Sequence, residues 1–501
     1  MRSSARPPVS PRRRRALPDW LPWLVGFFLL IAAWALAAPY NGTPDEAQHV
    51  YRAVGVVTEG AFAREGRWHS VPRSLIRGVC FQFKPTQAAH CSREPGGDTA
   101  TEPTLVLAGR YNPFYYALVG GPLRLWPNWE GILRARLLSA FLVASLLAAA
   151  MHSATRWSRS PFLGAAVFAA TTPMTLHLAG AVNPNAPEIA AGTAFFAALI
   201  PLLLEPEATP RRAQLWVVGI AGSLLAVLRA FGPLWVAIAL GVLMVPPFRA
   251  QMARVFRHRG LWVCLGLVLL AVAAGVAWSV MARTGTPDKV SIPAGFTSLQ
   301  AVRYVITSRL GSLANEMVGV LSWLDTTLPP WFYLAWWSLL GLFTLSAATF
   351  GGGIDRWRIA VLLLAVFGIP GILETILVRT YGFASQGRYV LPIAVGIPMV
   401  SAFTLSARNI FPAQWATGLT RAVAMLCLPL HLFALGFTMI RWQSGIPSTL
   451  KALSGNPLEG RWHPPMGSVL PMGLALAGAI VLGVRIWRTS APAPSADQAA
   501  E

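Results

Sequence analysis

The chain has 501 residues, of which 54% are hydrophobic and 12% charged, with a mean hydropathy of +0.52. A soluble domain carries about a quarter charged residues, so this composition excludes an ordinary soluble enzyme and a disordered protein. The net charge of +21 comes from 41 Lys+Arg against 20 Asp+Glu. It sits in short Arg stretches between apolar runs, a pattern that writes membrane topology rather than a nucleic-acid surface.

Residues 1–19 read as a basic cytoplasmic tail whose Arg12–Arg15 run meets anionic lipid. The apolar run 21–38 follows. Its Ala35-Leu36-Ala37 end resembles a signal-peptidase site, but a signal peptide has an apolar core of about 7–15 residues. This run approaches the roughly 20 that cross a bilayer, so it reads as an uncleaved first helix with its amino end inside. Further apolar runs lie at 132–151, 161–181, 187–204, 213–229, 231–247, 261–281, 331–350, 358–378, 389–407, 416–440 and 468–486, which makes twelve. A thirteenth candidate, 115–126, is short and holds Pro122 and Arg124.

Charge parity decides the status of that thirteenth run. If it lies on the surface, then Arg156/Arg159, Arg211/Arg212, Arg249/Arg254/Arg257/Arg259, Arg356/Arg358 and Arg485/Arg488 all fall inside. If it spans, all five clusters face outside, against the positive-inside rule. The expected fold is therefore an all-α integral membrane protein of about twelve transmembrane helices, with both termini cytoplasmic and juxtamembrane helices in a long first outer loop. The polytopic domain covers 20–487, with outer loops at about 39–131, 282–330, 379–388 and 441–467. Residues 488–501 form a disordered, Ala/Pro-rich cytoplasmic tail. A tight bend is expected at Arg229-Ala230-Phe231-Gly232-Pro233, where Gly and Pro break the helix at the outer surface.

Cys80 and Cys91 both fall in the first outer loop, where an oxidising exterior favours a disulfide; Cys264 and Cys427 fall within spans as packing residues. Just beyond the first helix stands Thr43-Pro44-Asp45-Glu46-Ala47-Gln48-His49-Val50-Tyr51-Arg52. One reading is a capping box, with Thr43 at N-cap, Pro44 at N1 and Glu46 at N3. The other is chemical. Asp45, His49 and Arg52 share a helix face at i, i+4 and i+7, where a carboxylate takes a proton from an acceptor hydroxyl and a cation neutralises a phosphate. Arg229 and Arg388, near the outer ends of their helices, either snorkel to headgroups or hold a lipid phosphate in a bidentate fork. Glu374 sits deeper and is expected to pair with a neighbour such as Arg379. In the Asn183–Glu188 outer turn, Pro187 and Glu188 fit a helix start. No GxxxxGK[ST], HExxH or GxSxG motif is present, which argues against a nucleotide-driven pump, a zincin and a hydrolase elbow.

These residues carry a resemblance. Pro44-Asp45-Glu46-Ala47-Gln48-His49, Tyr111-Asn112-Pro113-Phe114-Tyr115-Tyr116, Ser322-Trp323-Leu324-Asp325-Thr326-Thr327-Leu328-Pro329-Pro330-Trp331 and Gln386-Gly387-Arg388-Tyr389-Val390-Leu391-Pro392 follow one another in order on the expected outer face. Together they resemble the bacterial membrane proteins of domain of unknown function 2142. That family looks like a branch of the GT-C glycosyltransferases, such as the protein mannosyltransferases and aminoarabinose transferases. The resemblance implies a GT-C-like helix arrangement and inverting transfer of a sugar from a polyprenyl-phosphate donor to a cell-envelope glycan or lipid acceptor outside the membrane.

It makes Asp45 the base, with Glu46 as the alternative. It also places Arg388, Tyr389 and less directly Arg229 at the lipid phosphate, beside His49 and Arg52. Asp325 matches a motif without an assignable role. At Asn185 relatives often carry an acid, so the role of that acid is open here. Carboxylates beside a phosphate site allow a divalent ion, yet no ligand set is complete enough to name one. The alternative functions are a transporter or lipid flippase of envelope precursors, which the scarcity of mid-membrane charge and of paired repeats disfavours, and a non-catalytic scaffold.

Overall fold

Each of the twelve apolar runs is helical in the computed structural model, which describes residues 18–205, 209–245, 249–284, 297–411, 413–446 and 455–489. The Arg12–Arg15 run, the carboxy-terminal tail and parts of the 282–330 and 441–467 loops lie outside these residues. In chain order the first helices are α1 (Leu21–Ala37), α2 (Glu46–Glu59), α3 (Pro113–Leu125), α4 (Trp129–Arg156), α5 (Leu163–Ala170), α6 (Pro173–Ala179) and α7 (Asn185–Leu204). Then follow α8 (Arg212–Leu228), α9 (Gly232–Met244), α10 (Arg249–Phe256), α11 (Arg259–Met281), α12 (Ser298–Tyr304) and α13 (Leu310–Gly319). The last are α14 (Pro330–Phe350), α15 (Gly353–Leu363), α16 (Ile369–Tyr381), α17 (Leu391–Ala394), α18 (Gly396–Ala407), α19 (Ala413–Gln443) and α20 (Val469–Thr489).

Seven of these units are long and apolar enough to cross a bilayer: α4, α7, α11, α14, the continuous α15–α16 pair, α19 and α20. Four shorter apolar units are α1, α8, α9 and α17–α18. The twelfth run is split into α5 and α6 at Thr171-Thr172, because Pro173 cannot continue the ladder from the turn before it. α7 is buried along its whole length and forms the axis of the bundle, walled by α4, α8, α17 and α18. A helix apolar all round belongs in such a place. α1 packs on α20 with glycines in contact: a Cβ on Gly478 would stand 2.7 Å from the Gly26 carbonyl oxygen. Small residues allow this close approach, and in lipid it is packing rather than water that favours it.

One end of the bundle gathers arginines. Asp19 pairs with Arg156 and Arg485, so the start of α1 meets the ends of α4 and α20. Ser160 bonds Ser406 at 2.7 Å, and Arg408 pairs with Asp355, bringing the end of α18 and the start of α15 to the same end.

The opposite end carries the first loop, which folds around its own apolar core. Strands β1 (Trp68–Pro72) and β2 (Thr101–Leu105) pair antiparallel with Trp68 opposite Leu105. Tyr116, Val119 and Leu123 of α3 pack on Val50 and Val54 of α2, so closely that a Cβ on Gly120 would meet the Ala53 carbonyl oxygen at 2.6 Å. The 115–126 run is thus α3, 13 residues, whose inner face packs into the core of the first loop. Its Phe114, Leu118 and Leu125 remain exposed.

The 282–330 loop is more structured than its sequence suggests. It holds α12 and α13, joined by a π-helical turn over Val305–Arg309, and a short pair of strands, β3 (Val320–Leu321) and β4 (Thr326–Thr327). The expected bend lies at Arg229, whose extended backbone separates α8 from α9. A Cβ on Gly232 would stand 1.9 Å from the Leu225 carbonyl oxygen, so only glycine fits there.

Candidate functional site

α2 begins at Glu46, not at Pro44, and the capping box does not form. Thr43 Oγ1 has no hydrogen-bond partner among the described residues, and Asp45 occupies the N-cap position in the left-handed region with φ +65°. Asn41 takes the capping role. Its Oδ1 accepts from the Ala47 N–H at 3.1 Å, while its own N–H donates to Glu46 Oε2 at 3.0 Å. The cost of a non-glycine residue at positive φ is of the order of 1 kcal/mol or more, and the contacts that follow hold Asp45 there.

Glu46 is not placed to act as a base. It is fully buried against Arg136 of α4, which meets both carboxylate oxygens at 2.7 and 2.6 Å. Glu46 Oε1 also accepts from the Val182 N–H at 3.2 Å. The remaining Arg136 N–H groups donate to the carbonyls of Ala35, Ala38 and Pro39 at 2.8–3.0 Å. All five guanidinium donors and both carboxylate oxygens are used. This clamp ties the frayed end of α1 to α4, α2 and the turn before α7. Nothing near Arg136 in the sequence singles it out.

Asp45 points the other way. Its Oδ2 accepts from Arg388 Nη2 at 2.6 Å, and its side chain is 43% exposed while that of Arg388 is 1% exposed. Nε and Nη1 of Arg388 have no hydrogen-bond partner among the described residues. Arg388 therefore offers two further buried N–H faces beside an accessible carboxylate. Tyr389 lies between the two cations, with the Arg388 guanidinium 5.4 Å and that of Arg229 4.5 Å from its ring centre. Arg229 also lies over Tyr111 at 5.4 Å and donates to Asn185 Oδ1. The four residues Asp45, Arg388, Tyr389 and Arg229 thus form one cluster.

The cluster rests on a second network. Gly387 packs on α13 so tightly that a Cβ would stand 2.4 Å from the Leu313 carbonyl oxygen, and its N–H donates to Glu316 at 2.8 Å. Arg309, at the end of the π turn, pairs with Glu316 at 2.9 Å and Glu374 at 3.1 Å and donates to the Ser385 carbonyl. Glu374 also accepts from the Ser385 N–H at 3.1 Å. The partner of Glu374 is thus Arg309; the side chain of Arg379 lies outside the described residues. The Gln-Gly-Arg-Tyr motif is read by its backbone, and this is why Arg388 arrives in the site with few conformations open to it.

Three expected site residues do other work. His49 is buried with Nδ1 2.8 Å from Tyr116 Oη. Burial pushes its imidazole down to about 3, against the smaller opposite pull of Asp45, so it is neutral and packs beneath the cluster rather than shuttling charge. Arg52 faces away. It donates to the carbonyls of Ala61 and Tyr111 at 2.6 and 2.9 Å and sits 2.9 Å from His69 Nε2. The i+7 spacing gives it a face with Asp45, yet Asp45 precedes the helix and Arg52 bonds into the loop core. Asp325, its side chain 6% exposed, pairs with Arg441 at 2.9 Å. Arg441 in turn donates to the carbonyls of Phe81 and Gln87, on the segment closed by the Cys80–Cys91 disulfide, whose Cα atoms are 6.0 Å apart. Trp323, next to it, donates from its indole to the Asn41 carbonyl at 2.8 Å and so braces the turn that carries Asp45.

An apolar groove of about 360 Å³ opens beside the cluster. Leu391, three residues past Arg388, lines it with Val318, Trp337, Leu340, Val366 and Pro398. Met317, whose backbone N–H Gly387 packs against, lines it as well. The groove thus comes within one turn of Arg388 through Leu391, while the cluster residues themselves do not line it.

Fold and site together define a multi-pass membrane protein with a charged cluster at the end of its bundle. The chain belongs to the family of predicted membrane proteins DUF2142, whose profile matches residues 28–397. No curated protein matches it. Among solved structures it is similar to two crystal structures of ArnT from Cupriavidus metallidurans. The structure bound to undecaprenyl phosphate is 14% identical with a TM-score of 0.43, over 95% of this chain and 77% of that chain. The apo structure is 14% identical with a TM-score of 0.43, over 94% and 76%. A likeness this distant assigns no role to any residue.

Proposed function

We propose that the chain is a glycosyltransferase that moves a sugar from a polyprenyl-phosphate donor to a cell-envelope acceptor on the outer face of the membrane. The observation that carries this reading is the pairing of the accessible Asp45 carboxylate with the buried, incompletely bonded Arg388 beside the apolar groove. The groove suits an isoprenoid tail. The guanidinium groups of Arg388 and Arg229 suit its phosphate, since Arg binds phosphate through paired N–H groups. Asp45 and Arg388 neutralise one another in the pair they form. A donor phosphate meeting Nε and Nη1 of Arg388 offsets part of that cation and leaves Asp45 Oδ1 open to an acceptor.

The reaction is a single displacement. Asp45 takes the proton of the acceptor hydroxyl, whose oxygen forms a bond to the anomeric carbon. The bond from that carbon to the phosphate oxygen breaks, and its electron pair leaves with the phosphate. One displacement inverts the anomeric configuration. Charge on the leaving phosphate grows toward the transition state, so cations that bind it more tightly there lower the barrier. Tyr389 fixes the angle between the two guanidinium groups. On this account the arginine-rich end of the bundle, where Asp19 meets Arg156 and Arg485, faces the cytoplasm, across the bundle from Asp45.

Two variants test the reading. Arg388→Ala should abolish saturable binding of polyprenyl phosphate. Gly341, whose Cβ position is open and which lines the groove, can be changed to Phe. That variant should weaken a long-chain carrier at least about tenfold while leaving a two-isoprene phosphate unaffected. Equal affinity for both chain lengths in Gly341→Phe and wild type takes the tail out of the groove.

A further inference from the structure

Glu188 stands on the first turn of α7, 1% exposed, and its Oε1 has no hydrogen-bond partner among the described residues. Buried carboxylate oxygens rarely lack a donor, because the lost hydration is costly. The start of a helix favours an acid there, yet it supplies no directed N–H to this oxygen. Asn185, Glu188 and Gly192 lie at i, i+3 and i+7 and share one face of α7. That face meets the site. A Cβ on Gly192 would stand 2.2 Å from the Pro392 carbonyl oxygen, one turn past Arg388, and Asn185 accepts from Arg229. Arg229, bonded to Asn185, stands one turn from Glu188 along that face. The cluster therefore has two acids near it, one beside each arginine. Asp45 is accessible and bonded to Arg388, while Glu188 is enclosed on the Arg229 side.

We propose that Glu188 reads the sugar of the donor, its Oε1 accepting a hydrogen bond from one hydroxyl of the glycosyl group while Arg229 and Arg388 hold the phosphate. The assignment rests on the donor reading given above. The sugar of such a donor is bonded directly to the phosphate, so its hydroxyls lie within one ring's width of Arg229, where Glu188 stands. A site built around such a bond rejects analogues that lack the hydroxyl, because its own buried group is then left unpaired. A counter-ion role for Glu188 toward Arg229 predicts something different: its loss would weaken phosphate binding whether or not a sugar is attached.

The experiment uses the full-length protein in nanodiscs and follows intrinsic tryptophan fluorescence. The probes are polyprenyl phosphate, polyprenyl-phosphate-linked glucose and mannose, and the single-deoxy forms of each. The wild type should bind one hexose-linked probe more tightly than the bare carrier. Glu188→Gln, which keeps size and shape, should weaken that probe about tenfold or more and leave bare polyprenyl phosphate unchanged, which also reports that the variant is folded. The deoxy probe lacking the contacted hydroxyl should bind wild type and variant alike. Equal losses for bare and hexose-linked probes overturn the proposal and make Glu188 a counter-ion. Unchanged affinity for every hexose-linked probe overturns it too. A wild type that binds the bare carrier as tightly as every hexose-linked form removes the sugar contact and leaves the carrier reading intact. A wild type that binds none of the probes overturns both.

Discussion

Replacing Glu46 by Gln should unfold the protein before it touches the chemistry. The carboxylate accepts two bonds from Arg136 and one each from the N–H groups of Asn41 and Val182. An amide keeps one acceptor oxygen and turns an N–H₂ group toward donors that have nowhere else to go. It also leaves the fully buried Arg136 without its counter-charge. Breaking a buried pair from one side costs about 3–5 kcal/mol. That is a large share of the roughly 5–15 kcal/mol by which a domain is stable. The assay is thermal unfolding in a mild detergent, followed by static light scattering and tryptophan emission. Glu46→Gln should aggregate several degrees below wild type. The double variant Glu46→Leu/Arg136→Met should recover part of that loss, because no charge is stranded. It should not recover all of it, because the carbonyls of Ala35, Ala38 and Pro39 then lose their donor. If Glu46→Gln melts with wild type yet loses transfer, the clamp is a misreading and Glu46 belongs to the chemistry.

Gly387→Ala should cost at least about tenfold in donor affinity, read by titration with polyprenyl phosphate. Its Cβ has no room against the backbone of α13 and must push Arg388 out of line; a wild-type affinity would show the motif to be slack. Asp325→Asn should lower thermal stability by about 3 kcal/mol or more, since it strands the buried Arg441, and any transfer that survives at low temperature should show an unaltered donor dependence. The pH profile of stability carries a signature of His49. Its folded value near 3 lies below the ordinary value of 6.5, so the unfolded chain binds the extra proton between them. Stability is fully present above pH 6.5 and falls with acidification toward 3, by up to about 1.4 kcal/mol per unit. His49→Gln should flatten that slope in melts taken from pH 7 to 5, and an identical slope in the variant would place the titration elsewhere.

Hydropathy made the spans legible, because a lipid-facing or axial helix has no alternative to a long apolar run. The bend at Arg229 was legible for the same kind of reason, since Gly232 and Pro233 each break a helix locally. Local spacing was a poorer guide to side-chain partners. The i, i+4, i+7 spacing put Asp45, His49 and Arg52 on one helix face, but it could not show that Asp45 precedes the helix in a left-handed turn or that Arg52 bonds into the loop core. The Glu46–Arg136 clamp joins residues 90 positions apart and the Asp325–Arg441 pair residues 116 apart. Nothing near either acid in sequence announces its partner. Asp45 and Arg388 are 343 positions apart and meet at 2.6 Å. Their meeting depends on Gly387, Glu316 and Arg309, whose only trace in sequence is a glycine before an arginine.

Sugar transfer by Asp45→Asn bears most directly on the account. The amide keeps the size of the side chain and an oxygen for Arg388, but it cannot take up a proton. With a hexose-linked carrier and membrane acceptor, turnover should fall about 100-fold or more, while binding of polyprenyl phosphate stays within a few-fold of wild type. Turnover near the wild-type rate would contradict the account, because the accessible carboxylate beside the groove would then have no chemical task.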